Sequence, residues 1–301
     1  MKRFAISAAL ALLLTACGGG GGDSGGPPPT VTSSATTNSP RYSEELRFTL
    51  LGTNLDQSLN FTSTGCRDFT RLAGSTATVA QFGCTVSGVG ARTITVSSNA
   101  VTGTLATLNF SINMPEVTLF ISNGTTVSGQ IVIALRPDLT PITVDNFLAY
   151  VKTGFYNNTV FHRHGRVSDQ FGNITGEFVL QGGGYSAPLN SNTSFGLPKT
   201  PTRPQIALER GLSNLRYTVA MARGSGLNTA DSQFFINTVD NAFLDNSGGG
   251  YAAFGTITTG TTTVDAMVAA ACNFSPANFG LNSPDCLPEP NLVIASAVQT
   301  R

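Results

Sequence analysis

At 301 residues the chain exceeds the ~100–200 residues of a single domain, so two are expected. Seventeen basic residues balance seventeen acidic ones with no Lys/Arg-rich run, which speaks against nucleic acid or an anionic membrane surface as a partner. Only 11% of residues are charged while Thr, Ser, Asn and Gly abound, the composition of a β-rich, loop-rich secreted protein.

The N-terminus agrees with that composition. Lys2 and Arg3 precede the apolar run FAISAALALLL, which is too short for a stable membrane-spanning helix and reads as a signal peptide. Leu14-Thr15-Ala16-Cys17 then resembles a bacterial lipobox, so residues 1–17 are read as a lipoprotein signal with Cys17 acylated after cleavage. The mature protein is expected on a membrane of the bacterial cell envelope, periplasmic or surface-facing. Gly18 after the cysteine, rather than Asp, favours the outer membrane. Residues 18–39, rich in Gly, Pro, Ser and Thr, form the expected tether. The string GDSGG within it resembles the surroundings of a serine-protease nucleophile, but no upstream domain supplies His and Asp partners and the protease reading is rejected.

Four cysteines remain, in two local pairs. Cys66–Cys84 and Cys272–Cys286 are expected as disulfides, each worth about 3 kcal/mol in an oxidising compartment. From residue 40 to 113, short alternating runs (LRFTLLG, LNFTS, ATVAQFGC, RTITVSS, LATLNFSI) broken by turn residues predict a small immunoglobulin-like β-sandwich without a site of its own.

Residues 114–301 change character. A hairpin runs from EVTLFIS through Asn123-Gly124 to GQIVIAL. Val144, Phe147, Leu148 and Val151 share one helical face, with Thr143 as N-cap and Gly154 as stop. Val264, Met267, Val268 and Ala271 repeat the arrangement behind Thr263. Two short helices amid many strands predict a mainly β domain, a closed antiparallel barrel with helices over its openings.

Both histidines fall in VFHRHGR, at His162 and His164. They flank Arg163, and with no third His or nearby Cys in sequence a metal site is not expected. The motifs around them carry a resemblance. PITVDNFLAYVKTGFYNNTVFHR, FVLQGGG, MARGSGLNTADSQFFINTVDNAFLD and YAAFGTITTG are similar to the cyclophilin-type peptidyl-prolyl cis-trans isomerases, especially bacterial ones, over residues 116–301. The resemblance implies an eight-stranded closed barrel with two flanking helices and a groove for an extended proline-containing peptide. It implies that Arg163 is catalytic and that Phe178, Gln181, Ala222, Arg223, Gln233, Phe235, Phe243, Leu244 and Tyr251 bind substrate. Arg223 stands where eukaryotic members usually have Asn, and Tyr251 where many members have His.

His162 is accordingly read as a packed or hydrogen-bonded family residue and His164 as a solvated one. Beside the resemblance stands a departure: fourteen residues, His164–Glu177, lie where most relatives have about four, an insertion that can leave the strand at Gly165 and bulge outward as a loop, or instead narrow the groove or add contacts. The function implied is isomerisation of X–Pro bonds in envelope or secreted proteins, assisting their folding, with no cofactor and a monomer as the expected state. The competing reading is a low-turnover cyclophilin-like module that binds proline peptides as a chaperone or adhesion lipoprotein.

Overall fold

Period-two alternation over the first third of the chain does produce strands, and they close into two facing sheets. The computed structural model describes residues 26–189, 198–272 and 284–301. The expected signal peptide, Cys17 and residues 18–25 of the expected tether lie outside these. Strands β1 (Thr30–Thr36), β2 (Glu45–Thr53), β3 (Asn60–Ser63), β4 (Cys66–Arg71), β5 (Val79–Val86), β6 (Gly90–Ser97) and β7 (Thr104–Ile112) form the sandwich. Their orders, β1-β2-β5-β4 in one sheet and β3-β6-β7 in the other, give the seven-strand immunoglobulin arrangement. Phe48, Phe61, Phe69 and Phe82 fill the space between the sheets, with ring centroids 4.6–6.4 Å apart.

The domain boundary expected at residue 40 moves. β1 begins at Thr30, inside the stretch read as tether, and pairs antiparallel with β2 from Thr30↔Thr53 to Thr36↔Phe48. It is a largely exposed edge strand, TVTSSAT, with no apolar alternation to read. The Cys66–Cys84 disulfide forms as expected, but it joins the adjacent strands β4 and β5 rather than bridging the sheets.

The second unit is an eight-stranded closed barrel. Its strands are β8 (Glu116–Ser122), β9 (Ser128–Leu135), β10 (Thr159–Ser168), β11 (Ile174–Ser186), β12 (Thr218–Met221), β13 (Phe234–Asn237), β14 (Ala253–Thr259) and β15 (Val293–Gln299). They close in the order β10-β11-β13-β12-β14-β9-β8-β15, with β15 returning to β10 through Thr159↔Ile294 and Val160↔Val293. Closure leaves no free edge along the ring. Two helices, α1 (Pro141–Lys152) and α2 (Thr261–Val268), accompany it. Phe147 of α1 is fully buried against Tyr156, Phe234 and Phe254, ring centroids 5.0–5.6 Å away, so the helix is held to the barrel by an aromatic plug.

Local signals at these elements need correction. The first helix starts at Pro141, after Thr140 rather than Thr143, as proline favours the first helical position. Thr143 lies inside it, and its backbone N and Oγ1 both donate to Glu209 Oε2, at 2.7 and 2.8 Å, so a distant carboxylate covers the open N-terminus. Gly154 does stop the helix, with φ +67°. Helix α2 begins at Thr261 after Gly260, not after Thr263, and Ala271 falls beyond its end. The expected hairpin forms, and residues 123–127 connect β8 to β9, where Asn123 Oδ1 gathers the backbone N–H groups of Thr125, Thr126 and Val127 at 2.8–3.0 Å.

Sandwich and barrel are joined by polar contacts. Arg67 of β4 pairs with Asp145 of α1 at 2.9 Å, and Gln299 Nε2 of β15 donates to the Tyr42 carbonyl at 3.2 Å.

The insertion is also not a departing loop. β10 runs on to Ser168, and β11 answers it through His164↔Leu180, Gly165↔Val179, Arg166↔Glu177 and Val167↔Gly176. Gly165 is therefore a strand residue. The extra residues lengthen a barrel hairpin, which Asp169 closes by accepting from the backbone N–H groups of Phe171 and Asn173, both at 2.9 Å.

Candidate active site

One row of facing residues organises the site. In register, Arg163 of β10 lies opposite Gln181 of β11, and Gln181 lies opposite Phe235 of β13. Facing residues on adjacent strands project to the same side of a sheet, so the three side chains are neighbours on the outer surface of the barrel. A bulge between Phe161 and Arg163 makes this possible. Phe161 remains fully buried against Phe234, at 5.9 Å, while Arg163 emerges half-buried two residues later. The apolar ring beside the guanidinium is accordingly Phe178, whose centroid is 5.9 Å from Cζ, and not Phe161 as strand alternation predicts.

Around that row lies an open groove of about 420 Å³ lined by Arg163, Phe178, Val179, Gln181, Ala222, Arg223, Phe235, Leu244 and Tyr251. Eight of the sequence-derived residues thus converge on one hollow. Val179 joins them and was missed, since its apolar side chain reads as ordinary core. Phe235, Leu244, Val179, Ala220 and Ala253 form a small apolar cluster of their own beneath the groove. Two expected residues stand elsewhere. Gln233 lines an adjoining hollow with Gln181, Ala222, Arg223, Gly224, Thr229 and Asp231. Phe243 is 60% exposed, because the 3₁₀ turn Ala242–Asp245 points Leu244 inward and Phe243 outward, where it stacks on Phe178 at 5.9 Å.

That turn is held by polar groups that composition gave no reason to single out. Asp245 accepts from the Asn214 backbone N and Nδ2 at 2.8 and 2.9 Å and from Ser213 Oγ. Burial pushes the Asp245 carboxyl up, but these bonds outweigh it and hold it below the ordinary value. Buried Asn237 donates to Asn214 Oδ1, and Asn241 donates to Asn237 Oδ1 and to the Phe178 carbonyl, tying the turn to the groove floor. On the opposite wall Arg223 lies over the Tyr251 ring at 4.5 Å and donates to the carbonyls of Gly248 and Gly250.

Arg163 itself is tied on two sides. Its Nε donates to Asp285 Oδ2 at 2.6 Å and its Nη1 to Gln181 Oε1 at 3.1 Å, while Gln181 Nε2 donates onward to Gln233 Oε1 at 2.9 Å. Nη2 has no hydrogen bond among the described residues. The glycine run beside it serves close packing: Gly183 has φ +84°, and a Cβ there would meet the Ser232 carbonyl oxygen at 2.9 Å.

The two histidines behave differently from each other. His162 is packed as expected, its ring edge-on to Tyr185 at 4.8 Å, and burial lowers its pKa from the ordinary 6.5 to about 4. His164 is not solvated. It is 2% exposed and hydrogen-bonded to Glu177, a contact that the lengthened hairpin creates. The fold also brings Cys272 and Cys286 beside His164, the three ligand atoms within 4.8 Å of one another, so cysteines are near after all. Those sulfurs are joined as the expected Cys272–Cys286 disulfide, and metal ions take thiolates.

The family model for cyclophilin type peptidyl-prolyl cis-trans isomerases matches residues 120–279. Peptidyl-prolyl cis-trans isomerase cyp18 of Streptomyces antibioticus is 40% identical over 147 residues, 47% of this chain and 79% of the relative. The chain belongs to the cyclophilin-type peptidyl-prolyl cis-trans isomerases. Peptidyl-prolyl cis-trans isomerase B of Escherichia coli is 38% identical over 148 residues, covering 48% of this cyclophilin and 80% of the relative. A solved cyclophilin type isomerase of Cryptosporidium parvum is 22% identical, with a TM-score of 0.43 over 62% of this chain and 98% of its own.

Isomerisation of a prolyl bond requires twisting an amide whose lone pair is delocalised, against a barrier of ~18–20 kcal/mol. A donor at the prolyl nitrogen localises that pair, so it binds the twisted amide better than either planar form. The cyclophilin site has the parts for this: a permanently charged, planar guanidinium above a floor of Phe178, Phe235 and Leu244 that suits a pyrrolidine ring. Each ~1.4 kcal/mol removed from the barrier is a factor of ten in rate.

Proposed function

We propose that this isomerase acts on X–Pro bonds in extended segments of proteins of the bacterial cell envelope, to which an acylated Cys17 attaches it, in the outer membrane. The observation that carries the site assignment is the convergence of Arg163, Gln181, Phe178, Phe235 and Leu244 on one half-open groove, whose outer rim is accessible to a chain too long to enter a closed cavity. Arg163 is the catalytic donor. Gln181 takes the peptide backbone, Phe178, Phe235 and Leu244 hold the proline ring, and Ala222, Arg223 and Tyr251 bound the flanking residue. The envelope setting is supported by the lipobox-like LTAC ahead of a Gly/Pro-rich tether and by two disulfides, which persist in oxidising compartments.

Two experiments test this. Protease-coupled isomerisation of a short Xaa-Pro peptide separates a catalyst from a proline-binding module: a rate rising in proportion to enzyme is expected, and saturable binding without acceleration would refute it. Metabolic labelling with a palmitate analogue should tag the wild-type chain and leave Cys17→Ser unlabelled; equal labelling of both removes the anchor.

A further inference from the structure

The Cys272–Cys286 disulfide anchors Pro284–Cys286, and this short stretch lies beside the groove. Cys286 pairs with His164 as an antiparallel bridge, His164 N to Cys286 O at 2.8 Å and Cys286 N to His164 O at 3.1 Å. Arg166 Nε donates to the Pro284 carbonyl at 2.9 Å, and Cys286 and Leu287 are each 1% exposed. The segment Pro284–Cys286 is thus seated on the lengthened part of β10, immediately beside Arg163.

Between these anchors stands Asp285. One carboxylate oxygen takes the Arg163 Nε–H at 2.6 Å, and the other takes the Arg166 backbone N–H at 3.2 Å. With Gln181 on Nη1, the guanidinium plane is fixed at two of its nitrogens and the unbonded Nη2 is left for substrate. A charge-assisted bond between side chains only 27% and 16% exposed restricts a long, rotamer-rich side chain far better than a surface ion pair does. We propose that Asp285 is a positioning residue for the catalytic arginine, held in place by the Cys272–Cys286 disulfide and the strand-like seat on β10. Restricting the arginine before substrate arrives aims its free N–H groups at the place where the prolyl nitrogen twists. The proposal rests on Arg163 being the catalytic donor, and the test keeps the two apart.

Isomerisation is measured by NMR exchange on an Xaa-Pro peptide, which separates kcat from KM, for full-length wild type, Asp285→Ala, Asp285→Asn, Arg163→Ala and the double variant Arg163→Ala/Asp285→Ala. Asp285→Ala is expected to lower kcat by about fivefold with KM shifted less than about twofold. Asp285→Asn keeps one acceptor oxygen, which can take the Arg163 Nε–H, but sets an NH2 against the Arg166 N–H and removes the charge, so it should recover only part of the loss; it also carries the test if the alanine variant misfolds. In the Arg163→Ala background, removing Asp285 should cost nothing further. Wild-type kcat in Asp285→Ala, or an equal loss with and without Arg163, overturns the positioning role and leaves a structural stitch. Full turnover in Arg163→Ala sinks the underlying site assignment, and this proposal with it.

Discussion

Acid should destabilise this protein through one imidazole. His162 is 6% exposed, its Nδ1 has no hydrogen-bond partner among the described residues, and burial followed by the neighbouring Arg163 charge lowers its pKa to about 4. The unfolded chain carries an ordinary histidine near 6.5, so between these values it binds a proton that the native state refuses. Stability is therefore complete above about pH 6.5 and is lost as pH falls toward 4. From 6.5 to about 4 the linkage amounts to about 3 kcal/mol, of which about 2 kcal/mol falls between pH 7 and pH 5. That window lies above the ordinary range of carboxylates, so Asp138 and Asp245, whose pKa values are lowered, contribute little to it. Urea unfolding followed by circular dichroism at pH 7 and pH 5 measures the loss, and His162→Phe, which keeps a ring against Tyr185, should abolish most of it. An equal loss in wild type and variant would refute the reasoning, as would a proton-NMR titration placing the His162 ring near 6.5.

Other outcomes follow from packing and crosslinks. Phe234, fully buried among Phe147, Tyr156 and Phe161, holds helix and barrel together, and Phe234→Ala should cost about 3–5 kcal/mol in urea unfolding. A loss below about 1 kcal/mol would contradict the aromatic plug. Replacing Cys66 and Cys84 by Ser opens an 18-residue link and should cost about 3 kcal/mol, read as a lower urea midpoint with unchanged turnover. Turnover that falls with it would mean the sandwich contributes to catalysis.

Short-range signals made the barrel and its groove legible. Alternation located the strands, and FHR, FVLQGGG, MAR, SQFF, AFLD and YAAFG name eight residues that the fold brings to one groove. What escaped depended on distance or on irregularity. Asp285 is 122 residues from Arg163, and only a closed barrel with a disulfide-held segment brings them to 2.6 Å. His164 was misread as solvated because its partner Glu177 becomes its neighbour only when the insertion folds as a lengthened hairpin. The bulge before Arg163 broke the alternation that placed Phe161 beside it. β1 was taken for tether since an exposed edge strand has no buried face to leave a pattern.

The central claim is that Arg163 supplies the decisive donor, and protease-coupled turnover of Arg163→Ala beside Arg166→Ala tests it most directly. Both arginines lie on β10, but Arg166 turns its Nε to the Pro284 carbonyl and lines no part of the groove. With folding checked by circular dichroism, Arg163→Ala should lose at least about tenfold in kcat/KM, about 1.4 kcal/mol of transition-state stabilisation, and Arg166→Ala less than about threefold. Full turnover in Arg163→Ala, with the loss falling on Arg166→Ala instead, would contradict the account.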